Sequence, residues 1–126
     1  MSIFDDQADF MAACGQTVDR FNAKQANMYA ELIREETEEF KEAFAERDIA
    51  DAIIDIIVVC IGYGLSRGWP MKELWDAVHV SNMAKVDPET GSVKRRADGK
   101  ILKPAGWEPP NLQRVLYEHE ARNGEG

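Results

Sequence analysis

Apolar residues recur at helical spacing along most of this chain, and the pattern predicts an all-α fold. The first strong signal is a long amphipathic stretch over residues 22–47. The second is the run 49–65, in which fifteen of seventeen residues are apolar or glycine. Shorter helices are predicted over residues 5–14 and about 71–85. Short turns between long helices favour an antiparallel helical bundle.

Turn and cap residues separate these helices. Gly15 ends the first helix, and Gly68-Trp69-Pro70 predicts a turn with proline at the first position of the next helix. Asp48 precedes the apolar run and is a candidate N-cap. The predicted helices are therefore separate elements rather than one continuous rod.

Acidic residues interrupt the apolar face of the first long helix. At 100° per residue, Glu36 and Glu39 share a stripe with Leu32 and Phe40, and Glu35 lies at the edge of that stripe. We therefore expect Glu36 and Glu39 to face the core. The alternative is a solvated charge run, which suits the polar flank of Glu31, Glu35, Glu38 and Glu42.

The apolar run carries only two charges, Asp51 and Asp55, which are i, i+4 neighbours on one side of a helix expected to be buried nearly all round. Burying one unpaired carboxylate costs on the order of several kcal/mol. With Glu36 and Glu39, four acids would face a core and need compensation. Oxygen ligands without Cys or His favour Mg²⁺, with Mn²⁺ as a substitute. Pairing with Lys or Arg across a helix interface, in a non-catalytic interaction module, is the alternative.

The segment after the fourth helix changes character and is basic. Turn signals at Asp87-Pro88-Glu89-Thr90-Gly91 and Asp98-Gly99 predict a small hairpin or flap. Its cations indicate an anion-facing surface, and the apolar stripe of the preceding helix continues in phase to Asn82 and Lys85. A last helix is expected after Pro109-Pro110 to Glu120, followed by a frayed tail over residues 122–126.

Bulk composition limits the possible classes of protein. At 126 residues we expect a single domain, with a core of about residues 22–85 and a flap and tail over 86–126. A net charge of −8 argues against nucleic-acid binding. The apolar run is expected to be too short and too charged to span a membrane, and no signal peptide is evident, so a cytoplasmic protein is expected. Cys14 and Cys60 are expected to be buried thiols.

In sequence motifs the chain resembles the all-α nucleoside triphosphate pyrophosphohydrolases, the MazG-like and phosphoribosyl-ATP pyrophosphatase-like superfamily. Glu35-Glu36-Thr37-Glu38-Glu39 resembles its EExxE signature, and the acidic, otherwise apolar second helix resembles that of the family. Asn82 and Lys85 resemble the polar pair that family members use near substrate phosphates. The tail from Asp98 to Lys103, ending at Pro109-Pro110, resembles that of a subgroup of the family common in bacteria and their phages. The similarity covers about residues 25–112.

At the second family motif, ExxD, this sequence departs from the family. Asp55 matches its Asp, but Ala52 stands where its Glu should be. Asp51, one residue earlier, is the candidate replacement, and an alternative register uses Asp48 and Asp51 as DxxD. The number or geometry of metal ions depends on which register holds.

The resemblance implies a Mg²⁺-dependent enzyme that cleaves a (d)NTP between the α and β phosphates, yielding a monophosphate and pyrophosphate; a phosphoribosylated nucleotide is the second candidate substrate. It also implies a homodimer or homotetramer. We expect Glu36, Glu39, Asp51 and Asp55 to hold metal, and Glu35 to act with Glu36 in catalysis. The expected substrate-binding residues are Asn82, Lys85, Arg95, Lys100 and Lys103.

Overall fold

A computed structural model describes residues 1–124, and this part of the chain contains five α-helices and no β-strand. The all-α prediction is therefore confirmed. The helices are α1 (Ile3–Ala13), α2 (Ala23–Glu42), α3 (Glu46–Ser66), α4 (Met71–Met83) and α5 (Leu112–Gly124). The two long helices, α2 and α3, pack against each other in antiparallel fashion.

The chain forms two compact units, one from Met1 to Met71 and one that begins at Lys72. The first contains α1, α2 and α3, and the second contains nearly all of α4, the basic segment and α5. The assignment of residues 1–126 to a single domain stays a prediction.

The core of the first unit lies where α1 and α2 meet the second half of α3. Its buried side chains are Met11, Tyr29, Val59, Ile61 and Leu65. Burial of these apolar side chains is the main favourable contribution to folding.

A buried amide supplements this core at one end of the α2–α3 pair. The Gln25 side chain donates to Ser66 Oγ at 2.8 Å and to the Thr17 carbonyl at 2.7 Å. Its Oε1 accepts from the Thr17 amide at 2.9 Å. Because the polar atoms of the buried amide have partners, Gln25 can be buried without a desolvation penalty. These bonds fix the register in which α2 lies on α3.

The turn between α2 and α3 differs from the prediction. Helix α2 ends at Glu42, five residues earlier than expected, and α3 begins at Glu46 after Ala45, an N-cap without a side-chain hydrogen bond. The prediction that Asp48 caps α3 was wrong. Asp48 instead lies in the first helical turn, where a negative charge is favourable beside the exposed backbone N–H groups.

The prediction that the apolar helix is buried nearly all round was also wrong for the single chain. Ile53, Ile54 and Ile57 on α3 are 40%, 58% and 42% exposed. The cysteines Cys14 and Cys60, expected to be buried, are exposed. The reason is geometric, since α1 and α2 cover only one side of α3 and the outward side stays open.

In the second unit, α4 ends at Met83, and two isolated antiparallel bridges hold the following segment, Asp87 with Ser92 and Arg95 with Ile101. The expected hairpin is therefore a pair of bridged turns rather than a strand pair. The final helix continues to Gly124, so the prediction of a frayed tail was wrong for residues 122–124. Glu125 and Gly126 lie outside the described residues.

Candidate functional site

Glu36 lies on the side of α2 that faces α3. It follows Gln25, Tyr29 and Leu32 along one stripe of the helix, and the first two of these are buried. The Glu36 side chain is half-buried, and its Oε2 atom is buried without a hydrogen-bond partner. A buried polar atom left unpaired is rare in native proteins, so this oxygen points to a missing cation or donor.

The other predicted acids raise the energetic cost of ionising Glu36. The pKa of Glu36 is raised above its usual value, first by burial and then by a side-chain hydrogen bond with Glu39. The negative charges of Glu39, Asp55 and Asp51 raise it further. Three of the four acids predicted as metal ligands therefore lie near enough to act electrostatically on the fourth, Glu36, on the side of α2 that faces α3.

The depth of these acids differs from the prediction. Asp55 is half-buried, as Glu36 is, but Glu39 and Asp51 are exposed. The expectation that all four face a core was therefore wrong for Glu39 and Asp51. Both line an open cleft of about 280 Å³ between the end of α2 and the start of α3, together with Glu42, Ala43, Asp48 and Ala52. Both therefore lie at the rim of this cleft, close to the turn that joins α2 to α3.

Three cations near the acidic stretch pair with acids other than the four predicted metal ligands. Arg34 pairs with Glu31, Lys41 pairs with Glu38 at 3.3 Å, and Arg47 lies 3.7 Å from Asp48. Within residues 1–124, no Lys or Arg lies in salt-bridge distance of the four acids. Glu35 is exposed, at the edge of the stripe as expected.

The donor chemistry fits a divalent cation. The ligand set is made only of carboxylates, as Mg²⁺ prefers, and the unpaired Glu36 oxygen is a donor without a partner. In the described part of the chain, however, no three Asp, Glu, His or Cys side chains are gathered closely enough to form a metal site. A bound cation would therefore have to draw the rim carboxylates inward.

In the second unit, the predicted phosphate-binding residues divide into two groups. Lys85 donates to Asn82 Oδ1 at 3.2 Å, and Lys85 and Lys103 line the same cavity. Arg95 donates to the Gly99 carbonyl at 3.2 Å, and neither Arg95 nor Lys100 lines that cavity.

Two residues here, Lys94 and Trp107, were not among the predicted substrate-binding residues. Lys94 lines the cavity of Lys85 and Lys103, and the Trp107 indole lies beside both of those lysines. Lys94 was identifiable only from the register of the turns, in which the Leu102 amide donates to the Lys94 carbonyl at 2.7 Å.

The apolar composition of α3 allows a second interpretation. Helix α3 has 21 residues and a window of mean hydropathy 2.0, so by length and composition alone it could cross a membrane. The expectation that it is too short was based on a helix four residues shorter. Its packing on α2 and the acids Asp51 and Asp55 on the packed side instead make it a core helix.

Comparison with known proteins agrees with this architecture. The family model described as phosphoribosyl-ATP pyrophosphohydrolase matches residues 10–82, more than half of the chain. A search of curated proteins finds no match. The match spans α2 and α3 with all four clustered acids, and it ends at Asn82. The chain therefore belongs to the phosphoribosyl-ATP pyrophosphohydrolase family, within the all-α NTP pyrophosphatase superfamily, and is a nucleotide pyrophosphohydrolase.

Proposed function

We propose that this enzyme requires Mg²⁺ and cleaves a (d)NTP between the α and β phosphates. The observation that carries the proposal is the buried, unpaired Glu36 oxygen among acids that have no cationic partner in the described chain. Glu36, Glu39, Asp51 and Asp55 would hold the metal, with Mn²⁺ as a possible substitute. When bound, the metal supplies positive charge that offsets the carboxylates and the substrate phosphates.

Glu35 is the proposed base, acting beside Glu36. It is exposed at the edge of the acidic stripe and is therefore open to water. In the proposed reaction the Glu35 carboxylate takes a proton from water as the water oxygen attacks the α phosphorus. The bond from that phosphorus to the bridging oxygen breaks, and pyrophosphate leaves with the bonding electrons.

Asn82, Lys85, Arg95, Lys100 and Lys103 are the proposed substrate-binding residues. Four of them are cations, and Lys and Arg side chains donate charge-assisted hydrogen bonds to phosphate oxygens. Lys85 and Lys103 have the stronger structural support, because they line one cavity.

Asp48 offers an alternative arrangement of the metal ligands. It lines the same cleft as Glu39 and Asp51. A register that uses Asp48 and Asp51 would place the ligands nearer the turn than one that uses Asp51 and Asp55. An Asp48→Asn variant with full activity would support the register with Asp55.

The second candidate substrate is a phosphoribosylated nucleotide such as phosphoribosyl-ATP. The description of the matching family favours it. It shares the αβ phosphate bond that the proposed chemistry breaks, so the same acids would serve.

We further propose that the enzyme is a cytoplasmic homodimer or homotetramer. Ile53, Ile54 and Ile57 are exposed on the outward side of α3, and Phe44 in the α2–α3 turn is 96% exposed. Several exposed large apolar side chains on neighbouring elements are typical of a protein interface. A second copy of the chain is the proposed occupant.

Product analysis by ³¹P NMR tests the reaction. The protein is incubated with each of the eight common NTPs and dNTPs and with phosphoribosyl-ATP, in Mg²⁺, Mn²⁺ or EDTA. Metal-dependent formation of a monophosphate and pyrophosphate from a (d)NTP is expected. Turnover of phosphoribosyl-ATP alone would support the second substrate, and cleavage in EDTA would contradict the metal requirement.

A further inference from the structure

The segment that follows α4 encloses a cavity that the family match does not cover. The cavity has a volume of about 300 Å³, and all its lining residues lie between Ala84 and Ala105, beyond the matched residues 10–82. It is at the small end of the range for ligand sites. All of it belongs to the second compact unit.

Three lysines and one acid give the cavity its charge. Lys85, Lys94 and Lys103 contribute ammonium groups, and Asp87 contributes the carboxylate. In the described part of the chain, none of the three lysines forms a salt bridge. On a protein with net charge −8, three lysines without a salt-bridge partner around one cavity form a local positive patch that favours an anion.

The backbone of the segment brings two of these lysines together. The Leu102 amide donates to the Lys94 carbonyl at 2.7 Å, beside the Arg95–Ile101 bridge, so Lys94 and Lys103 lie across the turn from each other. Asp98 of this turn already pairs with Arg96 at 2.6 Å, and Asp87, which lines the cavity, accepts a hydrogen bond from the Glu89 amide at 2.9 Å. The lysines therefore remain available for a ligand.

Trp107 positions the other pair. Its indole N–H donates to the Ser81 carbonyl at 2.7 Å, which ties the ring to α4. The Lys85 and Lys103 ammonium groups lie 5.0 and 4.8 Å from the centre of the ring, within cation–π distance. One ring, itself held by a hydrogen bond, thus restrains two cations at the cavity.

We infer that this cavity binds an oligophosphate anion of the pyrophosphate class through Lys85, Lys94 and Lys103. Lysine is a compact donor-only cation that suits phosphate oxygens. Val86 and Leu102 add apolar contact surface beside the three lysines. The inference rests on the proposed function in one respect: pyrophosphate is both the product and the terminal part of the substrate. Lys94 and the positioning residue Trp107 are new assignments.

Binding is tested apart from turnover, in EDTA. The ¹⁵N-labelled protein has three indole N–H signals, from Trp69, Trp75 and Trp107, and the signal lost in Trp107→Phe assigns the last. Titration with pyrophosphate should shift the Trp107 signal saturably and leave that of Trp69 in place. Inorganic phosphate should bind at least about tenfold more weakly. No saturable shift at millimolar pyrophosphate would overturn the inference.

Charge variants separate a defined site from general attraction. Lys94→Gln and Lys103→Gln should each raise the pyrophosphate Kd about tenfold. Lys72→Gln, which removes the same charge from an exposed position on α4, should change it less than about twofold. Equal weakening by all three variants would show only a diffuse effect of charge and would overturn the site.

Two further arms identify the source of the phosphates and the role of Trp107. A nucleoside triphosphate with a methylene bridge between the α and β phosphates should compete with pyrophosphate if the site holds the terminal phosphates of the substrate; failure to compete would make it a product site. Trp107→Phe keeps an aromatic face and should retain the pyrophosphate binding that Trp107→Leu loses, as measured from backbone amide signals because both variants lack the Trp107 indole. Equal binding by both variants would exclude the cation–π role.

The proposed reaction and this site can fail independently. Pyrophosphate binding without cleavage of any nucleotide would overturn the proposed function and leave the site. Nucleotide cleavage without pyrophosphate binding would overturn the site and leave the proposed function.

Discussion

Glu36 has the most informative local environment in the first unit. The α2 stripe that buries Gln25 and Tyr29 continues to Glu36, so the side chain is held against α3 whatever its charge. Burial and three neighbouring acids disfavour its ionised form. A bound cation would reverse that preference, because a carboxylate is a metal ligand only when deprotonated.

Glu36→Gln should reduce turnover at least about 100-fold, since it removes a proposed ligand. In EDTA the same variant should be more stable than the native protein, because the neutral amide avoids the repulsion from Glu39, Asp51 and Asp55. Activity and urea denaturation, each with and without Mg²⁺, measure the two effects.

The matched control is Glu38→Gln, on the outer side of the same helix, where the carboxylate pairs with Lys41. It should keep its activity and its stabilisation by Mg²⁺, about 2.7 kcal/mol at a hundredfold excess over the metal Kd. Full activity of Glu36→Gln would remove Glu36 from the site.

Tyr29 predicts an alkaline limit to stability. Burial raises the pKa of its phenol above the usual 10.0, and the phenol donates to Gln16 at 2.6 Å. Because the folded state favours the neutral form, the stabilisation is complete below pH 10 and is lost as the pH rises through the raised pKa. Tyr29→Phe should flatten this loss above pH 10 in denaturation curves.

Tyr117→Phe provides the comparison, because Tyr117 is 71% exposed. Its alkaline profile should match that of the native protein. An unchanged slope in Tyr29→Phe would assign the alkaline loss to other groups, such as lysines.

Among the helices, α3 depends on close approach at two glycines. A Cβ at Gly62 would lie 2.3 Å from the buried ring of Tyr29, whereas one at Gly64 would lie 2.1 Å from the flexible Met71 thioether. Alanine favours a helix by about 1 kcal/mol over glycine. Overpacking outweighs this at Gly62, and Gly62→Ala should cost about 1–3 kcal/mol.

Gly64→Ala should cost less, because a methionine side chain can move aside. Urea denaturation of both variants measures the difference. A smaller loss at Gly62 than at Gly64 would show that the Tyr29 ring yields more easily than the thioether.

The helices themselves were predictable from the sequence, but the end of α2 and the burial of several side chains were not. Periodicity identifies the face of α2 on which Glu36 lies, and the structure shows that this side chain is half-buried. Periodicity does not show which end of a helix pair is open to solvent, so Glu39 and Asp51 were expected to be buried although they are exposed. The α2–α3 turn was placed too late in the sequence because Ala43, Phe44 and Ala45 include no Gly or Pro, and alanine gives no signal of a break.

For the whole molecule, α3 is more apolar than its burial within one chain requires. Fifteen apolar or glycine residues in seventeen indicate a helix covered on all sides, yet Ile53, Ile54 and Ile57 are exposed. Sequence pattern records every surface that a helix buries, including surfaces buried between chains. The second unit shows a related limit, since only the register of the turns brings Lys94 to Lys85 and Lys103.

If a second copy covers the outward side of α3, then Ile54→Glu should weaken the assembly. Burying one isoleucine contributes about 1.5–3 kcal/mol, so the dissociation constant should rise by at least about tenfold, and more if the carboxylate is also forced out of water. Sedimentation equilibrium over a range of protein concentrations measures the dissociation constant.

The control is Phe10→Glu on α1, which alters an equally exposed apolar residue, 60% against 58% for Ile54, and should leave the mass of the assembly unchanged. A native protein that stays monomeric near 100 µM, about where a weak complex would already form, would refute the pairing. The outward isoleucines would then need another partner.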